Sequence, residues 1–254
     1  MKTNSERIEQ KTNSIKSFHE KQQETYKNLA MTFDQDQQRD NRNHFNKIAA
    51  INNHLDIQPG DNVLEIGIGT GIHAGYLLDF NKNIDFNFFG IDLSDHMLKV
   101  AAEKLKSKKN IRLMNMPGES LEFKKDTFDK VYISGSLHHF EDPYKGVLEI
   151  LRVLKKGGKF CIMEPNYFFP TNIRAAHFVD EEIHMQLMKR GNFKKWFREA
   201  ARIYKFEYNI INFAYTPPFP KSLIPLYDVL DRIIHRIPGL NRLSVMLFIC
   251  GSKQ

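Results

Sequence analysis

Glu65, Gly67, Gly69 and Gly71 stand in one short run, EIGIGTG, between an apolar strand-like stretch and a helix-like one. Glycines at this spacing let the backbone turn tightly and come close to a ligand. The N–H groups that open the following helix have no partners within that helix. An acid, Asp92, ends the next apolar stretch, FNFFGID. A carboxylate in that position can accept hydrogen bonds from both hydroxyls of a ribose, each worth about 1.5–3 kcal/mol. The glycine spacing is G-x-G-x-G, and position 72 is Ile, so the third glycine of the dinucleotide fingerprint is missing. A single nucleoside with a small charged tail fits this pattern better than a dinucleotide.

Proton-handling residues come later in the chain. His138 and His139 are adjacent and follow a strand-like stretch, FDKVYIS, and Glu164 closes another, KFCIMEP. A histidine beside a carboxylate is held in one useful tautomer. Such a pair serves an acceptor that must lose a proton. The remaining histidines, His44 and His73 among them, read as surface or core. No HExxH or comparable spacing supplies a metal site, and two cysteines, Cys161 and Cys250, both in apolar runs, read as buried thiols.

The elements that must position these residues follow from hydrophobic periodicity. Tyr26, Leu29, Ala30 and Phe33 form an amphipathic stripe, and Phe45, Ile48, Ala49 and Leu55 form a second. Pro59-Gly60-Asp61 then makes a turn. Beyond it, a strand that runs into the glycine loop within NVLEIGIG (62–69) and strands at 86–92, 110–116, 128–134 and 159–165 alternate with helices at 70–80, 95–107 and 143–154. Alternation of this kind predicts right-handed crossovers and a parallel sheet covered on both faces. The last third predicts a long helix over 180–204, a strand at 207–213, a helix through Leu223, Leu226, Tyr227, Leu230 and Ile234, and a final strand at 243–251. The expected fold class is α/β: a Rossmann-like, doubly wound sheet of seven mostly parallel strands. It carries an N-terminal helical cap (1–58), a main domain (59–254) and helical insertions at about 166–242.

Composition bounds the function. The chain is 41% hydrophobic and 26% charged, which is the balance of a globular domain. Val245 to Cys250 is too short an apolar run to span a bilayer. The polar start, MKTNSERIEQ, lacks the apolar core of a signal peptide, so a cytoplasmic location is expected. A net charge of +7 permits an anionic partner without requiring one.

VLEIGIGTG, FFGIDLSDHML, FDKVYISGSLHHFEDP and LRVLKKGGKFCIMEPN resemble, in order and spacing, the motifs of class I S-adenosylmethionine-dependent methyltransferases. They are similar to the small-molecule group that includes ubiquinone/menaquinone C-methyltransferases and natural-product O-methyltransferases. The resemblance covers about residues 60–166. It implies S-adenosyl-L-methionine as cofactor and a small-molecule acceptor; the apolar content of 166–242 suggests a hydrophobic or aromatic one, with oxygen the first expectation for the methylated atom and nitrogen and carbon left open. It implies that Gly67, Gly69 and Gly71 pass beneath the methionine moiety and that Glu65 orients their loop. Asp92 would bind the ribose, Leu93 and Met97 would pack near adenine, Ser134 would lie by the methionine end, and Tyr26 would close over the cofactor. It also makes His138, His139 and Glu164 the candidate base and orienter.

One segment departs from the family pattern G-D-A-E-x-L-P-F. Here it is Met116-Pro117-Gly118-Glu119-Ser120-Leu121-Glu122-Phe123, with Pro117 in place of the usual acid. Gly118 and Glu119 are then the groups expected to read adenine. The region 166–242, with Phe168, Phe169, Phe178, Met185, Met188, Trp196, Phe213, Tyr215, Phe219 and Leu226, is the expected acceptor pocket. The basic, aromatic stretch 189–205 could meet a membrane surface or an acidic substrate.

Two other functions stay open at this point. A nucleic-acid or protein methyltransferase would suit the positive charge. However, Ser-Gly-Ser-Leu-His-His replaces the Asn/Asp-Pro-Pro-Tyr/Phe pattern of enzymes that methylate amino groups of bases. No RNA-binding module is visible either. A non-catalytic cofactor-binding partner subunit would keep the glycine loop and Asp92. The sequence leaves the oligomeric state open.

Overall fold

A computed structural model describes residues 20, 23–27, 41–213, 229 and 244–254. Residues 23–27 are helical. In chain order there follow α1 (Asn41–Leu55), β1 (Asn62–Ile66), α2 (Ile72–Phe80), β2 (Asn87–Asp92), α3 (Asp95–Leu105) and β3 (Ile111–Asn115). Next come β4 (Phe128–Ser134), α4 (Pro143–Val153), β5 (Leu154–Pro165), α5 (Pro170–Phe178), α6 (Arg190–Ala200), β6 (Phe206–Phe213) and β7 (Met246–Lys253). Short 3-10 segments lie at Leu137–His139 and Asp180–Leu187.

The strands form one seven-stranded sheet in the order β3-β2-β1-β4-β5-β7-β6. The first five are parallel, and β7 runs antiparallel to both β5 and β6. Strand order reverses between β1 and β4, so a crevice opens beyond their C-terminal ends. The glycine loop leaves β1 there, and Ser134-Gly135-Ser136 leaves β4 beside it.

Side chains on a strand alternate between faces, and that alternation sorts the core in two. On one face Leu64, Ile66, Val131, Ile133, Phe160 and Ile162 pack against Val147, Ile150 and Leu151 of α4 and Phe193, Phe197 and Ala200 of α6. On the other, Val63, Phe88, Tyr132, Cys161 and Met163 meet Ile48, Ile51 and Leu55 of α1 and Ala74, Leu77 and Leu78 of α2. Strands buried on both faces read as continuous apolar runs, as VYI and FCIM do. Local chemistry sets the helix starts. Ser94 caps α3 by accepting from the Met97 N–H, and Asp142 caps α4 by accepting from the Lys145 N–H, with Pro143 just inside.

The region after β5 differs from expectation. A helix over 180–204 does not form as one piece. Its first part is the 3-10 segment Asp180–Leu187, and the chain is extended at Lys189 before α6 begins. The Met188 carbonyl accepts from the Tyr167 N–H at 3.0 Å, so it is withdrawn from any helical ladder. Helix α5, not anticipated, starts on Pro170. The expected acceptor-pocket residues separate accordingly. Met185 and Met188 are core, whereas Phe178 is 82% exposed. Tyr215, Phe219 and Leu226, the helix through 223–234, and Leu29, Ala30 and Phe33 lie outside the described residues. Arg190, Lys194, Lys195 and Arg198 share α6 with Phe193 and Phe197, which turn inward. No helix among the described residues is long and apolar enough to cross a membrane.

Phe160 is fully buried under α6, so Phe160→Ala is expected to cost about 3–5 kcal/mol. Urea denaturation of the variant would read this as a lower midpoint at unchanged slope.

Candidate active site

The crevice holds a cavity, and two chain reversals build its floor. Gly67, Gly69 and Gly71 have φ of 71°, 55° and 77°, left-handed values that side chains other than glycine's rarely tolerate. The Gly67 and Ile68 N–H groups donate to the Ile91 carbonyl at 2.8 and 2.9 Å, which fastens the loop across the top of β2. A Cβ on Gly67 would stand 2.2 Å from Ser136 Oγ, so this glycine is required by close approach of the loop after β4. A Cβ on Gly69 would meet nothing within 4 Å; its backbone faces the cavity. Gly71 instead lets α2 approach α3, since its Cβ would stand 3.2 Å from that of Ala101.

Asp92 joins the two elements on this side. Its Oδ2 accepts from the Gly69 N–H at 2.8 Å and its Oδ1 from the Ser94 N–H at 2.9 Å. Burial pushes its carboxyl above the usual range, and these N–H donors pull it back. The side chain still lines the cavity, with Leu93, Met97, Met116 and Pro117 beside it. Gly118 also lines it and cannot carry a Cβ, which would fall 2.2 Å from the Phe140 ring. Glu119 lines the same wall, while its Oε1 accepts from the Asp142 N–H at 2.9 Å. Above, Gln23 Nε2 donates to the Leu93 carbonyl at 3.1 Å, which brings Tyr26 over the opening.

The opposite wall comes from β4. Ser134, Gly135, Ser136, His139 and Phe140 line it. Ser134 Oγ is buried there and makes no hydrogen bond among the described residues, so this wall offers a polar ligand a ready partner. Tyr26 meets the His139 ring edge-on at 5.5 Å between centroids.

Behind that wall sit the residues expected to handle protons. Glu164 is fully buried. Its Oε1 accepts from the Ser136 and Leu137 N–H groups at 3.0 and 2.8 Å, and its Oε2 accepts from His138 Nδ1 at 2.6 Å. His138 Nε2 lies 3.1 Å from Glu182 Oε2. Burial opposes a charge on His138, but the two carboxylates outweigh it and hold the ring near a pKa of about 10. A ring flanked in this way has no spare nitrogen for an acceptor's proton. The expectation that either histidine could serve as base therefore narrows to His139, and Glu164 acts on the loop, not on a substrate. Glu65 is likewise buried beneath the glycine loop, away from the cavity; burial raises its carboxyl well above the usual range, while the Tyr132 hydroxyl draws it down and the Asp92 charge adds to the rise.

Tyr26, Gly67, Gly69, Asp92, Leu93, Met97, Gly118, Glu119, Ser134 and His139 thus share one cavity. Glu65, Gly71, His138 and Glu164 support it from behind. Sequence reasoning missed a basic edge: His44, Lys47 and His73 also line the cavity, with His44 Nδ1 2.8 Å from His73 Nε2. Burial, with the charges of Lys47, His44 and Lys104, lowers His73 well below the usual imidazole range. His44 and Lys47 come from α1 and His73 from α2, and no spacing in the sequence joins the two helices. Glu182 was missed for the same reason.

A family model described as a methyltransferase domain matches residues 64–162, the segment that carries the glycine loop, Asp92 and the histidine pair. Residues 64–162 of this chain are accordingly similar to a methyltransferase domain. The chain is 32% identical over 157 residues to 2-methyl-6-phytyl-1,4-hydroquinone methyltransferase 2, chloroplastic, of Oryza sativa subsp. japonica, covering 55% of this chain and 43% of that one. It is 38% identical over 114 residues to the uncharacterized methyltransferase YdaC of Bacillus subtilis (strain 168), covering 44% and 61%. The match therefore spans less than two thirds of the length of these relatives. Among solved structures, the YcgJ protein of Bacillus subtilis superposes with a TM-score of 0.60 at 21% identity, covering 82% of this chain and 97% of that one. That likeness bears out the Rossmann-like fold.

Two substitutions test the construction. Gly67→Ala would drive a methyl group into Ser136 Oγ at a left-handed φ, and is expected to loosen the loop and lower affinity for any cavity ligand. Glu164→Ala would leave two buried N–H groups and an imidazolium without their acceptor. A loss of about 3–5 kcal/mol in chemical denaturation is expected; a change below about 1 kcal/mol would show that the buried ion pair does not hold the loop.

Proposed function

We propose that this chain is an S-adenosylmethionine-dependent methyltransferase that acts on a small, hydroxylated aromatic acceptor and transfers the methyl group to oxygen. The observation that carries the reading is the glycine loop fastened to Asp92 at the mouth of the β1/β4 crevice. It supports a nucleoside ligand: the second lone pairs of the Asp92 oxygens suit ribose hydroxyls, and Leu93, Met97, Met116 and Phe140 offer an apolar slot for a base. Pro117 lines that slot, so adenine is read by the backbone around Gly118 and by Glu119. Lys47 and Thr70, on the basic edge, suit a carboxylate tail. When bound, the cofactor supplies the activated methyl group; the protein supplies position and electrostatics.

Holding the acceptor in line with that methyl group can contribute about 7–11 kcal/mol. A phenolic or alcoholic acceptor must also lose its proton, and His139 is the predicted catalytic side chain that stands on the cavity wall. The plant relatives named for a hydroquinone support a small aromatic acceptor. Among the described residues, no RNA-binding module accompanies the domain, which favours this reading over a nucleic-acid substrate.

Calorimetric titration with S-adenosylhomocysteine, with NAD in parallel, is the first test. Binding of the former alone is expected; binding of neither would overturn the assignment. Asp92→Ala should weaken that binding by at least about tenfold, or ~1.4 kcal/mol. His139→Ala should lower turnover of hydroxylated aromatics by about a hundredfold or more while cofactor affinity holds. Mass and NMR analysis of the product separates oxygen from carbon methylation. Tight cofactor binding without turnover on any acceptor would favour the partner-subunit function.

A further inference from the structure

Resting on the reading that this cavity serves methyl transfer, we propose that His138, His139 and Glu182 form a binding site for a divalent transition-metal ion that faces the acceptor. The three side chains offer two imidazole nitrogens and a carboxylate oxygen, all within 4.8 Å of one another. Two imidazoles and one carboxylate are a donor set that suits zinc and ferrous ions and leaves coordination positions open.

The surroundings carry the case beyond proximity. His138 Nδ1 is taken up by the buried carboxylate of Glu164 at 2.6 Å. With a proton on Nδ1, the lone pair of the neutral ring sits on Nε2. That nitrogen lies 3.1 Å from another lone-pair donor, Glu182 Oε2, which is buried and makes no hydrogen bond among the described residues. Two acceptors at this separation need a positive centre between them, either a proton or a cation. A carboxylate behind a ligating histidine, fixing its tautomer and raising its basicity, is the recurrent support of protein-bound metals. Glu164 is held for this task by the Ser136 and Leu137 N–H groups.

The site is also placed and graded for use. His138 is buried, whereas His139 and Glu182 are half-buried, so the trio opens to one side. His139 lines the cavity together with Ser134 and Gly135, so this ligand joins the trio to the cavity wall. The 3-10 segment that carries Glu182 is fastened to the same loop, because His184 Nδ1 lies 2.7 Å from the Phe140 carbonyl. Bonds of about 2.0–2.2 Å to each donor would draw the three atoms to within about 3–4 Å of one another. Rotation of the Glu182 side chain, which is 24% exposed, supplies that closure.

The role follows from the charge. A divalent ion beside the methyl donor lowers the pKa of an acceptor hydroxyl that it contacts, and the proton leaves to water. His139 then acts as a ligand that holds the cation, and its removal costs turnover for that reason.

The test is titration of the untagged, metal-free full chain with Co2+ followed by its visible absorption, with calorimetric S-adenosylhomocysteine binding measured on the same samples. One equivalent of Co2+ is expected to bind and to be displaced by Zn2+. Glu182→Gln and His139→Ala should each weaken Co2+ binding by about tenfold or more, and Glu164→Gln should weaken it by about 10–100-fold as the loss of an outer carboxylate does. Asp92→Ala should leave Co2+ binding intact while S-adenosylhomocysteine affinity falls. Failure of the wild-type chain to bind Co2+, or binding that survives both Glu182→Gln and His139→Ala, would overturn the metal site and leave a proton between His138 and Glu182. S-adenosylhomocysteine binding in that same sample would show that the methyl-transfer reading stands without it.

Discussion

A carboxylate sealed at the end of β5 holds the working edge of this molecule together. Taking Glu164 out of water costs several kcal/mol, and only good geometry and charge compensation repay that cost. Its oxygens meet two backbone N–H groups and one imidazole, all from the loop that follows β4. The loop is therefore not free to choose its path. Ser134, Ser136 and His139 reach the cavity because Ser136, Leu137 and His138 are pinned behind it. The glycine loop depends on the same arrangement, since Gly67 lies against Ser136, whose hydroxyl donates to the Ile66 carbonyl at 3.1 Å.

Asp92 uses the same chemistry for a different end. It too accepts from backbone N–H groups at a strand terminus, and it too joins neighbouring segments. It differs in remaining on the cavity surface, where each oxygen keeps room for another donor. One acid builds the wall and the other meets the ligand, and burial decides which does which. A sealed carboxylate spends its acceptor capacity on the protein; a half-open one keeps part of it for solvent or substrate.

What the sequence made legible follows from the range of the forces involved. The strands of the central sheet announce themselves because both faces are buried, so their apolar runs are unbroken. The glycine loop is legible because its backbone requirement is local. Helix α4 begins at Asp142-Pro143 for the same reason. The break near residue 188 was hidden, because the Tyr167 N–H that captures the Met188 carbonyl comes from another element. Gly71 carries the signature of the ligand loop yet serves helix packing, a distinction visible only once Ala101 is beside it. The His44–His73 contact and the Glu182–His138 contact are likewise products of the fold. Residues paired at long range leave no period to read.

A hydroxylated aromatic acceptor, as proposed above, would also account for why positive charge gathers behind His139. A phenol attacks a methyl group well only as its phenolate, whether through oxygen or through a ring carbon that shares the negative charge. What such a site must provide is stabilisation of an oxyanion, and a base is only one way to provide it. The proton or cation that bridges His138 and Glu182 puts a positive centre directly behind the histidine that faces the cavity, with the two rings 4.0 Å apart. Oxygen and carbon transfer then share the same electrostatic need. The choice between them rests on which acceptor atom the cavity wall sets in line with the methyl group.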